Sequence, residues 1–375
     1  MVVTRLLCAA IAMSAALVAQ QAPARKKPVD DGWPDLSSFL DEQYGFLPVV
    51  APITEPAVGY GAAGGLAFLS RPLGETKAGF GRPDITFVGG LGTENGTWAG
   101  AAGDIRHWLD DRLQTRVFAV DGSVNLDYFG LGDDAMLDQR SLRYNLEPVG
   151  VSLEARYRLG ETPWWVGLNY SVARIDVSFD DPAGTPGLPD FMRRSDVGGL
   201  TPSLTVDSRD NLFTPTTGSY LELTVGLFDE VLGGDAEFQR VYLLGMQYVP
   251  LSSQWFLGLR GDAAASFGDV PFYMRPFVVL RGVPLLRYQG ETMASFEAEL
   301  RWQFWERLSL VGFGGVGAAW NDFDRYANSA SAVAGGVGVR YEIARAYGLH
   351  AGVDVAFGPE DTVLYIQIGS AWARP

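Results

Sequence analysis

The 375-residue sequence is poor in the residue types that build most reaction centres. It has one cysteine and two histidines. The cysteine, Cys8, falls in an apolar N-terminal stretch, which leaves the rest of the chain without a disulfide or a thiolate metal site. His107 and His350 stand far apart, and no serine or carboxylate pattern around them suggests a triad or a metal pair. No catalytic residue, no bound metal and no enzymatic activity are expected. Positive charge is scarce too. The 29 Lys and Arg face 44 Asp and Glu, a net charge of -15, which argues against a nucleic-acid partner. Past the N-terminus there is no run of ~18 apolar residues, so no spanning helix is available. Two stretches, Gly59 to Gly64 and Gly312 to Gly317, match G-x-G-x-x-G. Neither leads into a helical pattern, and a phosphate site of this kind needs a helix N-terminus behind the glycines. They fit glycine-rich strands, and no cofactor is expected.

The chain begins like an export signal. Arg5 precedes an apolar stretch from Leu6 to Val18, followed by Ala19, Gln20, Gln21 and Ala22. A charged start, a short apolar core and small residues after it describe a secretory signal, with cleavage expected between Ala19 and Ala24. The run is too short to cross ~30 Å of hydrocarbon comfortably. Residues 1–22 are assigned to this signal peptide. Residues 23–43 follow as a short periplasmic leader, broken by Pro23, Pro28 and Pro34 and charged by Arg25, Lys26 and Lys27. Its last part, 35–43, is either a linker or one or two helical turns carrying Leu36, Phe39 and Leu40 on one face. No second globular domain fits in so little chain.

What the sequence does have is glycine, 46 residues, and aromatics, 12%, spread over many short segments. Those segments alternate. Across 293–304, Ala294, Phe296, Ala298, Leu300, Trp302 and Phe304 share one face, while Ser295, Glu297, Glu299, Arg301 and Gln303 share the other. That is the period of a strand. About fifteen segments behave this way, many of ten residues or more, where soluble strands average ~5–6 and a tilted membrane strand needs ~9–11. Counting back from the C-terminus, long or polar connections fall at 358–361, 321–330, 268–291, 231–234, 180–194 and 128–142. Tight turns lie between them, near 345–346, 305–306, 250–252, 209–217, 160–162 and 109–111. Long outer loops and short periplasmic turns are the rule for membrane barrels. Keeping that parity, 57–70 runs inward and needs an outward strand before it, for which 44–53 serves. The expected fold is therefore all-β: a transmembrane antiparallel barrel of about 16 strands over residues 44–375, with both termini in the periplasm. Its long sixth extracellular loop is 268–291. Trp108, Trp164, Trp165, Trp255, Trp302 and Trp305 flank the inferred periplasmic turns, and Trp98 and Trp320 lie toward the other rim, as aromatic girdles would. Charges on the inward face, among them Glu154, Arg156, Glu297, Glu299, Arg301, Arg340, Glu342 and Asp354, make either a solvated lumen wall or a network that anchors something within it.

Three stretches carry a resemblance. The first is Asp207-Ser208-Arg209-Asp210-Asn211 with Pro215 and Gly218. The second is Leu280-Arg281-Gly282-Val283-Pro284, continuing to Gly290. The third is Pro48 to Gly64, with Glu55-Pro56 and Gly59-Tyr60-Gly61. Together they resemble the conserved periplasmic hairpin, the arginine-glycine motif of the sixth loop and the opening hairpin of the BamA/TamA superfamily of outer-membrane assembly and translocation proteins, the bacterial surface antigen barrels. The resemblance implies a sixth loop folded inward, with Arg281 beside Gly282 pairing with wall carboxylates. It departs from the family in two places. There is no room for the usual POTRA domains, and the family's Phe-x-Asp-x-Gly strand reads Phe313-Gly314-Gly315-Val316-Gly317, with glycine for aspartate. Glu297, Glu299 and Asp354 are then the candidate partners of Arg281. By resemblance the chain inserts or moves proteins or lipids at the bacterial outer membrane. Its partners would be outer-membrane lipids and client membrane proteins, and nothing in the sequence sets an oligomeric state. The alternative is a passive channel or structural barrel on the same fold.

Overall fold

The computed structural model describes residues 31–42, 45–70, 84–129, 141–179, 193–321 and 330–372. The expected signal peptide, its cleavage region and the first part of the leader lie outside the described residues, as do most of the connections at 128–142, 180–194 and 321–330. A short helix, α1 (Ser37–Glu42), comes first, opened by Asp35, whose carboxylate accepts from the Ser37 amide at 2.6 Å. Sixteen strands follow: β1 (Gly45–Glu55), β2 (Gly59–Leu69), β3 (Ile85–Thr93), β4 (Trp98–Trp108), β5 (Leu113–Tyr128), β6 (Leu142–Arg158), β7 (Trp164–Phe179), β8 (Arg193–Asp207), β9 (Gly218–Phe228), β10 (Phe238–Pro250), β11 (Trp255–Gly268), β12 (Thr292–Trp302), β13 (Leu308–Trp320), β14 (Ala330–Ala344), β15 (Leu349–Phe357) and β16 (Thr362–Ile368). Each pairs antiparallel with the next in one 16-stranded sheet.

The side-chain faces are inverted relative to a soluble sheet. On β12, Phe296, Leu300 and Trp302 are exposed while Ser295, Glu297 and Arg301 are buried. On β14, Val333, Val337 and Val339 are exposed while Arg340 and Glu342 are buried. Soluble proteins rarely expose apolar patches beyond a few hundred Å². A wall that is apolar all round belongs in hydrocarbon, and the strand-to-strand hydrogen bonds from β1 through β16 satisfy the backbone between them there. The chain is an outer-membrane barrel. Trp255 and Trp302 stack outside it with ring centroids 5.3 Å apart, near the periplasmic turns. Trp165 departs from the girdle pattern. It shares the turn region with Trp164 but faces inward and is buried.

Connection lengths follow the barrel rule over the C-terminal strands and break it near the N-terminus. The outer connections β1–β2 and β3–β4 are tight, the second closed by Asn95-Gly96 with Gly96 at φ +87°. The periplasmic β2–β3 connection runs from Leu69 to Ile85 and is the longer of its neighbours. Among the described residues, three of the apolar clusters inside the sheet position the site. One, at the periplasmic end, joins Leu40, Leu47, Ile85, Phe213 and Tyr347. A second holds Val278, Leu280 and Val283 against β10 to β14, and a third gathers Tyr273, Phe277 and Leu286 with the outer parts of β4 to β7.

Candidate functional site: the 269–291 link and the seam

The link between β11 and β12 is built as a folded-back segment. Gly268 at φ +92° turns it away from the strand, a 3-10 turn forms at Phe272–Met274, and Phe277 bridges Gln289. The Val278 amide donates to the Tyr288 carbonyl at 3.0 Å and the Gly290 amide to that of Pro276 at 3.0 Å. Its apolar residues rest on lumen-facing positions of β13 that lack side chains. A Cβ on Gly317 would meet Val278 at 2.4 Å, and one on Gly315 would meet Leu280 at 2.8 Å. The glycine that stands where the resembled family has aspartate is thus the floor under Leu280.

Arg281 projects from this segment into a carboxylate cluster. Its Nε and Nη2 donate to Glu297 Oε1 at 2.9 and 2.7 Å, and its backbone amide to Oε2 at 3.2 Å. Nη1 lies 3.0 Å from Asp354 and 2.7 Å from Glu299. All three candidate partners therefore surround one guanidinium, which also lies 3.6 Å above the Phe313 ring centre. Glu297 and Asp354 have 3% and 0% of their side chains exposed, so this is a desolvated cluster. Hydrogen bonds complete it. Arg340 Nη2 donates to Asp354 at 2.8 Å, and the Trp372 indole donates to Glu297 at 2.7 Å. Gly282 sits at φ +91°, a left-handed conformation that suits glycine. Arg340 and Trp372 were not singled out from the sequence as partners. Arg340 was legible as a lumen charge, whereas Trp372 follows the end of β16, where alternation stops.

The same segment touches both ends of the sheet. The Leu285 amide donates to Glu55 at the end of β1 at 3.2 Å, and the Gly282 amide donates to the Tyr365 hydroxyl of β16 at 3.1 Å. β1 and β16 lie side by side, with Cα atoms within 8 Å, yet among the described residues no ladder pairs them. The sheet is therefore closed by proximity and by side chains rather than by a sixteenth set of strand hydrogen bonds.

The hairpin 208–217 between β8 and β9 reaches the opposite wall. Asp207 and Arg209 form a buried pair at 2.7 Å. Asp210 accepts from the amides of Thr216 and Thr217, which closes the turn. Pro215 is buried within it, and Gly218 is held at φ +99°, where a Cβ would lie 2.2 Å from the Ser208 carbonyl. Across the mouth, Asn211 Nδ2 donates to the Tyr347 carbonyl at 2.8 Å, and the Ser370 amide donates to the Phe213 carbonyl.

The described part of the leader is seated on the barrel instead of hanging clear of it. Arg307, in the β12–β13 turn, directs Nε and Nη2 at Asp31 (2.6 and 2.9 Å) and Nη1 at Asp35 (2.8 Å). Arg345 adds a contact to Asp31 at 2.8 Å, and the Leu36 amide donates to the Ile343 carbonyl at 2.7 Å. The Arg307 hydrogen bonds hold the Asp31 carboxyl at about 2, below its ordinary 3.8. Leu36, Phe39 and Leu40 do not share a face. Leu40 is buried against the barrel, while Leu36 and Phe39 are exposed. Of the histidines, His107 lies 3.1 Å from Gln114 and His350 lies 3.3 Å from Arg301, both within the wall's polar network.

Comparisons with known proteins agree with this geometry. Residues 107–278 match the sequence profile of the Omp85 superfamily domain. No curated protein sequence matches the chain. Among solved structures, BamA from Haemophilus ducreyi lacking POTRA domains 1–3 is similar at a TM-score of 0.59 and 14% identity, over 88% of this chain and 70% of that one. CdiB from Escherichia coli (TM-score 0.58, 12% identity) and CdiB from Acinetobacter baumannii (0.57, 9%) are similar over 89% and 86% of this chain. The chain spans 61% and 59% of those two proteins. With the profile match over residues 107–278 and the shared barrel fold, the chain is similar to proteins of the Omp85 superfamily.

Proposed function

We propose that this barrel inserts or moves client proteins or lipids at the outer membrane by opening the seam between β1 and β16. One observation carries the reading: the two end strands touch without a ladder, and each is held instead to the 269–291 link, through Glu55 and Tyr365. Unpaired edge backbone is costly in hydrocarbon and templates an incoming strand. A seam held mainly by side chains opens at lower cost than one sewn by strand hydrogen bonds. Arg281 is the anchor in this reading, keeping the link in place while the edges part. The hairpin built on Asp207, Arg209, Asp210, Pro215 and Gly218 braces the periplasmic mouth. Residues 1–22 would export the chain, and 23–43 would serve as its leader.

The test joins the seam reversibly. Cysteines at Val50 of β1 and Leu364 of β16, both on the membrane face, are linked with a cleavable bifunctional thiol reagent. Proteoliposomes holding the barrel are then scored for insertion of an unfolded outer-membrane barrel client, for lipid scrambling and for ion conductance. Insertion or scrambling that stops on linking and returns on cleavage supports the seam. Activity indifferent to the link refutes it, and conductance as the sole activity points to the passive channel.

A further inference from the structure

The outer face of the wall carries a hollow that the seam does not use. It has a volume of about 680 Å³ and lies on the membrane side of β3 to β8. Its shape follows from side-chain size along two rows of the sheet. In the inner row, Val88, Ala102, Ala119, Val151 and Val172 are register neighbours on successive strands. The alanines, with Gly100 beside them, make a trough between branched walls. In the next row outward, Gly100 pairs with Asp121, Asp121 with Val149, Val149 with Arg174 and Arg174 with Asp196. That row sets two carboxylates and a guanidinium along the upper edge of the hollow.

One side is raised by a loop. The β9–β10 connection folds down over the membrane face of β8, where a Cβ on Gly198 would lie 2.0 Å from the Leu232 carbonyl oxygen. Tyr170 donates its hydroxyl to that oxygen at 3.1 Å, and Asp235 accepts from the Asp196 amide at 2.7 Å. Gly233 of this loop lines the hollow as its lip. A wall that only met bulk lipid would need neither the trough nor a loop folded onto it.

Height fixes which part of a lipid meets which row. Arg174 lies ten residues along β7 from Trp164, beside the periplasmic turn. At ~3.3 Å per residue and a strand tilt of ~40°, that is roughly 25 Å, the full height of the apolar band. The charged row therefore stands among outer-leaflet headgroups, and the trough one pleat below it is in hydrocarbon. Arg174 directs Nε and Nη2 at Asp196 (2.9 and 3.3 Å), which leaves Nη1 for another acceptor. Asp121 stands two strands away, about 10 Å along the row, and is exposed. An acceptor-seeking guanidinium and a carboxylate at that spacing complement a headgroup bearing an anion and a hydrogen-bonding cation.

We propose that this hollow binds an outer-leaflet glycerophospholipid whose headgroup carries both a phosphate and a primary ammonium. One acyl chain would lie in the Gly100–Ala102–Ala119 trough, the phosphate on Arg174 and the ammonium on Asp121. A primary ammonium donates hydrogen bonds to a carboxylate, whereas a quaternary one has none to donate, so the site separates ethanolamine from choline headgroups.

The test uses the whole protein in nanodiscs of phosphatidylcholine doped with equal small fractions of phosphatidylethanolamine and phosphatidylglycerol, and native mass spectrometry counts the lipids retained on release. The parent should retain phosphatidylethanolamine about ten-fold over the other two, a difference of one well-made charged contact. Asp121→Asn should erase that preference, and Arg174→Gln should lower retention of every phospholipid. Ala119→Phe, a membrane-facing change that fills the trough, should lower retention while heat-modifiable gel migration shows the barrel intact. Equal retention of the three lipids by the parent overturns the site. A preference for phosphatidylglycerol does so too, since the rim would then read negative charge alone. So does a preference for phosphatidylethanolamine that survives both Asp121→Asn and Ala119→Phe.

Discussion

Arg281→Ala removes one guanidinium from a cluster of three carboxylates, and the cost follows from what stays behind. Asp354, fully buried, retains Arg340 at 2.8 Å and is compensated. Glu297, nearly as buried, loses two hydrogen bonds and keeps the residue-281 backbone amide and the Trp372 indole, both neutral donors. Glu299 is partly exposed and rehydrates. Breaking a buried ion pair from one side costs about 3–5 kcal/mol, and with two of the three carboxylates rescued the lower end, about 3 kcal/mol, applies. That energy holds the 269–291 link, so its local opening should become about 100-fold more frequent. Trypsin reports this directly at Arg287, which lies in the same link and is followed by Tyr288. Faster cleavage after Arg287, and a lower urea midpoint in heat-modifiable migration, are expected. Adding Glu297→Ala to Arg281→Ala should recover part of the loss, since it removes the orphaned charge. Equal cleavage rates and equal midpoints for Arg281→Ala and parent would refute the anchoring argument.

The leader's docking should depend on acid in one direction. Asp31 titrates at about 2 against an ordinary 3.8, so its attraction to Arg307 is complete above 3.8 and is lost as the pH falls from there through 2. The anisotropy of a fluorophore on Phe39→Cys should stay constant from about pH 7 to 4 and drop below, while Arg307→Ala should show the low value throughout; a parent signal flat to pH 2 contradicts this. Gly315→Asp, which supplies the aspartate of the resembled family, would push a Cβ to 2.8 Å from Leu280 and add a carboxylate beside Glu297. Overpacking alone costs about 1–3 kcal/mol, so the link should again open to trypsin; unchanged cleavage would show that Gly315 is no seat for Leu280.

The barrel was legible because its strands are long and their alternation is unambiguous, and a lipid-facing row such as Phe296, Leu300 and Trp302 needs only period two to be found. The lumen partners of Arg281 were legible for the same reason, since parity places Glu297, Glu299 and Asp354 on one face. Two kinds of feature escaped. Arg307 and Asp31 lie 276 residues apart in segments with no periodicity, so nothing local announces that a turn and the leader meet. Gly315 looked like a departure from a family pattern. Its reason lies in Leu280, which reaches it from another part of the chain. The N-terminal connections were misleading in a third way, because loop length reports side of the membrane only on average, and β1 to β4 carry tight outer turns with a long periplasmic link.

The 269–291 link also constrains the order in which the barrel can be made. Its contacts lie 73 residues ahead at Asp354, 83 ahead at Tyr365 and 230 behind at Glu55. No neighbouring hairpin can hold it by itself. The glycine slot on β13 is cut to its shape, so the wall cannot close first and admit the link afterwards without parting again. It behaves as a former on which β13 to β16 are wound, and the last strand reaches the first only when the former is seated. Closure of the circle and full burial of Arg281 are then one event, and a chain stopped before β15 would hold an open sheet around a guanidinium that lacks Asp354.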